Sequence, residues 1–252
     1  MRALLPSTFK NSLEHGDFFK VVRLTTVDST NEWLKKLSLN EAREGFVVVA
    51  DEQTRGKGRL GRKFFSKKGG LYFSVLLKPK SNEVLDALTV LAAVAVCDAI
   101  REESGDPAQI KWVNDIFIGG KKCSGILAET TESLKGFAIV GIGVNVGDTE
   151  LDESIKDIAC SVFSKDKDLK WRLLAKILDN IATSYLDFDK GKIVDAYKER
   201  SCVVKKRIQV VQNDGTSFVA TAKDIDEDCR LVVVTDDGRE HRLFSGEVKI
   251  YL

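Results

Sequence analysis

The chain has 252 residues, with 39 Lys and Arg against 38 Asp and Glu, 43% hydrophobic and 31% charged residues. A formal net charge of +1 argues against a general polyanion binder, leaving only a local basic patch for such a role. The hydrophobic share excludes disorder as the main state, and at about 100 to 200 residues per domain the length predicts one large domain and a small one. The longest apolar stretch, residues 88–97, falls well short of the roughly 20 residues that a membrane span requires, so no membrane association is expected. MRALLPSTFKNSLEHGDFFK has only a brief apolar patch and does not read as a signal peptide. Five Cys at irregular spacing, without a CxxC, fit reduced thiols in the cytoplasm and give no metal-ligand set.

In chain order, VVRLTTV reads as a strand. STNEWLKKL then opens a helix, where Ser29 and Glu32 have capping-box spacing and Trp33, Leu34 and Leu37 share a face. FVVVADEQ is a second strand, followed by a Gly and Arg/Lys segment over residues 55–68 and a further strand, LYFSVLLKP. Helical spacing of Leu85, Leu88, Ala92, Ala95 and Ala99, with Gly105 as a stop, predicts a buried helix over residues 81–103. IKWVNDIFIGGKKCSGILAET reads as two strands joined at Gly119 and Gly120, because Gly-Gly supplies the positive φ of a two-residue hairpin turn. FAIVGIGVNV gives another strand, residues 169–188 a helix, and KIVDAYKER a short one. Beyond Lys205 come RIQVVQ, SFVATAKDID, RLVVVT and HRLFSGEVKIYL, short strands set apart by turn signals, which predict a small β-barrel or sandwich. Without regular βαβ alternation, the main domain is expected to be α+β around a mixed sheet. The boundaries expected are 1–203 and 204–252.

Two segments carry chemistry. RGKGRLGRKFFSKK holds seven basic residues and no acidic one, a candidate anion cradle. Its Gly56, Gly58 and Gly61 spell GxGxxG, but the dinucleotide fold needs a helix directly after that pattern and here a strand follows, so that reading is rejected. The alternatives for the segment are a solvated basic loop and, since Phe64 and Phe65 interleave with the cations, a nucleic-acid surface. In the hairpin, a Gly119–Gly120 turn sets Ile118 opposite Lys121 and Phe117 opposite Lys122. Asp115 then shares a face with Phe117, diagonal to Lys122 at about 7 to 8 Å along the backbone. Ile116, Ile118 and Cys123 take the other, apolar face. An exposed cross-strand ion pair worth well under about 1 kcal/mol is the bland reading of that geometry.

DSTN at residues 28–31, EQTRGKGRLGRKFFS, GGLYFSVLLKP, IKWVNDIFIGGKKCSGILAE and GIGVNV occur in an order and spacing that resemble the catalytic domain of biotin protein ligases. The resemblance covers residues 21–147, and the C-terminal β segment is similar to that family's SH3-like domain. It implies a fold related to class II aminoacyl-tRNA synthetases. It also implies two reactions: biotin and ATP give biotinyl-AMP, and a lysine of a biotin carrier domain then takes the biotinyl group. By the same resemblance, Ser29, Thr30 and Gln53 hold the ureido ring of biotin. Gly56, Lys57, Arg59 and Arg62 belong to the loop that covers the adenylate, the first three also reaching biotin. Lys122 contacts the biotin carboxyl and the phosphate, and Gly125, Gly141 and Gly143 let strands lie close to the biotin tail. Asn114 and Asn145 contact the nucleotide, Phe64 stacks on adenine, and Arg59, Lys122 and Asp115 form the catalytic set. Mg²⁺ accompanies ATP, with phosphate and water as most of its ligands.

Val113 stands where the family usually has Pro, and Phe64 where many members have Trp. Residues 1–20 are too few for the N-terminal DNA-binding domain of many bacterial members, so neither operon repression nor a nucleic-acid partner is expected. LYFSVLLKP is a candidate for edge-to-edge pairing in a symmetric dimer. The nearest rival is a lipoate protein ligase, whose lysine motif resembles KKCSG but whose RRxSGGG block is absent. A nucleic-acid-binding protein using the basic loop, and a biotin-binding module without turnover, are the rivals from other classes.

Overall fold

Two sheets organise the chain, one of eight strands and one of five. The computed structural model describes residues 2–147, 149–162, 166, 168–212 and 215–250. The elements in order are β1 (Arg2–Ala3), α1 (Ser7–Ser12), β2 (Lys20–Val27), α2 (Thr30–Lys35), β3 (Phe46–Gln53), β4 (Leu71–Leu77), α3 (Asn82–Ser104), β5 (Gln109–Lys111), β6 (Asp115–Ile118), β7 (Lys121–Thr130), β8 (Ala138–Val144), α4 (Leu169–Leu186) and α5 (Lys190–Arg200). Strands β9 (Arg207–Val211), β10 (Ser217–Ile225), β11 (Leu231–Val234), β12 (Glu240–Leu243) and β13 (Glu247–Ile250) complete the chain.

The large sheet runs β1-β2-β3-β4-β8-β7-β6-β5. Only β2 and β3 are parallel among the pairs of this sheet, so it is mixed as expected. Its central strands are apolar on both faces, because both are covered. Val47, Val49, Phe73 and Val75 point to the layer of α3, α4 and α5, whereas Phe46, Val48 and Leu76 join Leu34 of α2 in a smaller cluster on the other face. That second face is only partly covered. Beyond α2 it is paved by Ser74, Gly141 and Gly143 and opens into a cleft.

Several expectations are corrected. LYFSVLLKP forms β4, which lies between β3 and β8 with every residue buried, so its hydrogen-bonding edges are used and it offers no edge to a second copy. IKWVNDIFIGGKKCSGILAET gives three strands, since β5 and β6 also pair across residues 112–114. Ser29 stands at the N-cap of α2 without a side-chain cap bond, and Glu32 turns to Lys35 and Lys57, so no capping box forms. The N-terminal α1, which carried no clear periodicity, buries Phe9 against the main core. The long helix is as expected: Ser81 Oγ accepts from the Val84 N–H, and Gly105 closes the helix in the left-handed region at φ 76°.

The five-stranded sheet runs β12-β11-β10-β9-β13 and is antiparallel throughout. HRLFSGEVKIYL divides into β12 and β13, and the second of these returns to pair with β9. That return carries residues 246–249 to the mouth of the cleft.

Candidate active site

The basic segment folds back on itself as a pinned loop. Gln53 N–H donates to the Ser66 carbonyl at 3.0 Å, Phe64 N–H to Gly56 at 2.9 Å, and Gly58 N–H to Arg62 at 2.7 Å. Lys57, Arg59, Arg62, Lys63 and Phe64 thereby line the cleft. Gly56 does not line it: a Cβ there would stand 2.4 Å from the Phe64 carbonyl oxygen and 2.5 Å from Ser66 Oγ, so its role is to let the two limbs of the loop touch. Lys57 Nζ donates to Glu32 Oε1 at 2.8 Å, and Lys57 and then Lys35 hold the Glu32 carboxyl below the usual carboxylate range. Arg59 Nη1 donates to Asn114 Oδ1 at 3.2 Å, while Asn114 Nδ2 donates to the Ile126 carbonyl at 2.8 Å, which ties the loop to the hairpin strand.

The hairpin turn has φ of 56° at Gly119 and 80° at Gly120, and the pairs Ile118–Lys121 and Phe117–Lys122 stand as expected. Between Ile116 and Phe117 the register shifts, so that Ile116 faces Ser124 and Asp115 faces Gly125. This bulge changes the site. Gly125 leaves room for the Lys122 side chain to cross it, with Nζ 3.1 Å from where a Cβ would be, and Nζ reaches 2.6 Å from Asp115 Oδ1. The two charges therefore touch where plain pairing gives a diagonal gap. Oδ1 is buried and accepts no directed hydrogen bond, so the pair is held by charge and leaves a carboxylate lone pair unused.

Ser29 and Thr30 are each 3% exposed, and both line the cleft with Gln53. Thr30 N–H and Oγ1–H donate to Gln53 Oε1 at 2.8 and 3.2 Å. Gly125, Gly141 and Gly143 also line it, but side chains fill their hollows. Phe64 lies on Gly143 and Gly125, at 2.5 and 3.4 Å from their would-be Cβ atoms, and Asn31 Oδ1 lies 2.2 Å from that of Gly141. A ligand tail on those glycines has to displace the Phe64 ring. Asn145 is not brought to the lining. It is buried, its N–H donates to the Cys123 carbonyl at 2.9 Å, and its Nδ2 donates to the Cys160 carbonyl at 3.1 Å, so it braces the strands behind Lys122.

Three charged residues of the lining were not singled out from the sequence: Lys111, Glu247 and Lys249. Burial lowers the Lys111 pKa, and its ammonium stands 4.7 Å from the Phe117 ring. Glu247, on β13, is ion-paired with Arg62. With these included, seven cations and two carboxylates, Asp115 and Glu247, line the cleft among the described residues. Such a surface is built for anions. The turn at residues 112–114 is fixed from behind, with Tyr197 Oη donating to the Val113 carbonyl at 3.0 Å and Trp112 Nε1 to Cys229 at 3.2 Å. Val113 therefore sits in a braced turn.

Residues 23–146 match the model of the biotin/lipoate A/B protein ligase family, and residues 206–251 that of the biotin protein ligase C-terminal domain. A bifunctional ligase/repressor BirA of Bacillus spizizenii is 33% identical over 237 residues, which cover 89% of this chain and 72% of the relative. The chain belongs to the biotin protein ligase family. The BirA of Bacillus subtilis is 43% identical over 142 residues, 54% of this chain and 44% of that protein, so the chain matches less than half of that relative's length. A biotin protein ligase from Aquifex aeolicus, solved in complex with biotin and ATP, superposes with a TM-score of 0.77 at 30% identity, over 92% of this chain and 98% of the other. As in other biotin protein ligases, an α+β catalytic unit on a mixed sheet is followed by a small β unit. Among the described residues no helix is long and apolar enough to cross a membrane.

Proposed function

We propose that this ligase activates biotin with ATP as biotinyl-5'-AMP and transfers the biotinyl group to a lysine of a biotin carrier domain, residues 1–203 forming the catalytic unit and 204–252 the accessory one. The observation that carries this reading is one cleft lined both by hydroxyl and carboxamide groups, at Ser29, Thr30 and Gln53, and by the cations Arg59, Arg62, Lys111 and Lys122. A carboxylate attacking an α-phosphate brings two anions together, and at about 4 Å each unit pair repels by roughly 4 kcal/mol at an effective dielectric of 20. Lys122, in the same lining, offsets that charge as it develops, with the loop arginines closing over the phosphates and making bidentate contacts. No covalent enzyme nucleophile is needed, because the acyl adenylate is itself activated and both steps rest on positioning.

The acceptor amine must attack neutral, yet with a reference pKa near 10.4 only about one lysine in 2,500 is neutral at pH 7. Asp115, which lines the cleft beside Lys122, orients that amine and accepts its proton. The acidic groups present suit a Mg²⁺ ion that arrives with ATP: Asp115 and Glu247 are the lining carboxylates, too few for a protein cage, so phosphate and water complete the shell. Bound there, the ion would neutralise phosphate charge. Of the loop cations, Lys57, Arg59, Arg62 and Lys63 line the cleft, and Lys57 and Arg62 pair with Glu32 and Glu247, which supports a nucleotide site over a flat nucleic-acid surface. Five free thiols suit a cytoplasmic location. The test is exchange of labelled pyrophosphate into ATP: exchange that requires biotin is expected, and exchange independent of biotin, or none, contradicts the reading.

A further inference from the structure

Beneath the biotin end of the cleft lies a set of polar groups that neither step uses. Ser74, in the middle of β4, is fully buried, and Asn31, in the first turn of α2, is 4% exposed. Ser74 Oγ lies 2.5 Å from Asn31 Oδ1 and 2.6 Å from Thr30 Oγ1, so its single proton serves two acceptors. Asn31 Nδ2 donates to Glu129 Oε2 at 2.7 Å, and Lys35 holds the other Glu129 oxygen at 2.9 Å. An ionised carboxylate only accepts. Glu129 therefore decides which end of the Asn31 carboxamide faces it, and leaves Oδ1 to face Ser74.

On the far side of Thr30 the pattern continues. Its N–H and its hydroxyl proton both go to Gln53 Oε1, which fixes the Gln53 carboxamide so that Nε2 donates to Ser66 Oγ at 2.8 Å. Ser66 in turn donates to the Phe64 carbonyl at 3.1 Å. Every proton of Thr30 and the carbonyl of Gln53 are thus committed inside the protein. What Thr30 and Gln53 themselves leave for a ligand, beside the Ser29 hydroxyl, is a lone pair on Thr30 Oγ1 and the second hydrogen on Gln53 Nε2. That is one acceptor beside one donor.

A cyclic urea carries N–H and C=O side by side and matches this pair, whereas a dithiolane ring has neither and would leave both unpaired in a buried pocket. We infer that Glu129, Asn31 and Ser74 are positioning residues that set the hydrogen-bonding sense of Thr30 and Gln53, and so select a cyclic urea over an apolar ring. The inference rests on the biotin ligase reading. If Ser74 loses its hydroxyl, Asn31 Oδ1 and Thr30 Oγ1 both lose their donor, and the link that carries the orientation set by Glu129 to Thr30 is broken.

The test is calorimetry on the full chain with biotin, with desthiobiotin, which keeps the cyclic urea but lacks the second ring, and with ATP alone, each variant being checked by thermal melting. Ser74→Ala and Glu129→Leu should each weaken biotin and desthiobiotin in parallel by about ten- to a hundredfold while ATP affinity stays within about twofold. Glu129→Gln keeps a carbonyl acceptor for Asn31 and should hold biotin within about threefold of wild type. The inference is overturned if Ser74→Ala and Glu129→Leu bind biotin as wild type does, if biotin and ATP weaken together, or if Glu129→Gln loses as much as Glu129→Leu. A wild-type chain that binds ATP but no biotin overturns the underlying reading instead.

Discussion

Lys122 and Asp115 stand 2.6 Å apart, yet the proposed mechanism gives them different halves of the reaction. Lys122→Ala should depress biotin-dependent exchange of pyrophosphate into ATP by two or more orders of magnitude, about 3 kcal/mol of barrier, because the meeting anions lose their counter-charge. Asp115→Asn keeps that charge. It should retain a larger share of exchange while losing transfer from preformed biotinyl-AMP, and an equal ratio of exchange to transfer in the two variants would make the pair one electrostatic unit. Lys111 gives a prediction of a different kind. Burial lowers its pKa in the folded chain from the ordinary lysine value of 10.5, so the unfolded chain binds that proton more tightly. Stability should rise as pH climbs through the folded value toward 10.5, and Lys111→Met should remove that slope and stabilise the chain at pH 7. Urea melts between pH 7 and pH 10 check both, and a variant less stable at pH 7 contradicts the claim. Thr30, Gln53, Lys122 and Asp115 were legible in the sequence because they lie in contiguous motifs. Glu247 and Lys249 were not, since they reach the cleft only through the return of β13, and Lys111, though inside IKWVND, is turned to the cleft only by the β5–β6 pairing.

At the scale of elements, the bulge in β7 and the glycines of β7 and β8 shape the cleft more than any helix does. Alternation predicted the strands and the Gly-Gly turn, but no residue near Cys123 and Ser124 marks a bulge, so the contact of Lys122 with Asp115 could not be read in advance. The place of β4 was hidden for a related reason: an apolar strand of LYFSVLL type looks the same at an edge and in the middle, and only its pairing with β3 and β8 decides. Gly141 sits opposite both Ser74 and Leu127, beneath Asn31. Gly141→Ala should push the Asn31 carboxamide away from Ser74 and weaken biotin binding by about 1 to 3 kcal/mol, the cost of unpaired buried polar groups, with little effect on ATP. Titration calorimetry reads this directly, and unchanged biotin affinity in a folded Gly141→Ala chain would show that the carboxamide tolerates displacement.

The whole molecule joins a mixed sheet, helices on one face and a cleft on the other, to a five-stranded unit whose β13 adds residues 246–249 to the cleft wall. Composition and strand pattern anticipated the two units, and the basic loop anticipated the cations that line the cleft; that the smaller unit contributes to the cleft follows only from the pairing of β13 with β9. Glu247 faces Arg62 across the junction, so under the proposed function ATP would compete with a carboxylate of the second unit for a loop cation. The central claim is that this cleft charges a carrier lysine with biotin in preference to an acid of similar length without a urea. Its most direct test is the intact mass of a biotin carrier domain after incubation with the chain, ATP, Mg²⁺ and equal biotin and lipoate. A gain of one biotinyl group, dependent on ATP, is predicted, and a carrier that gains lipoyl mass, or no mass, contradicts the account.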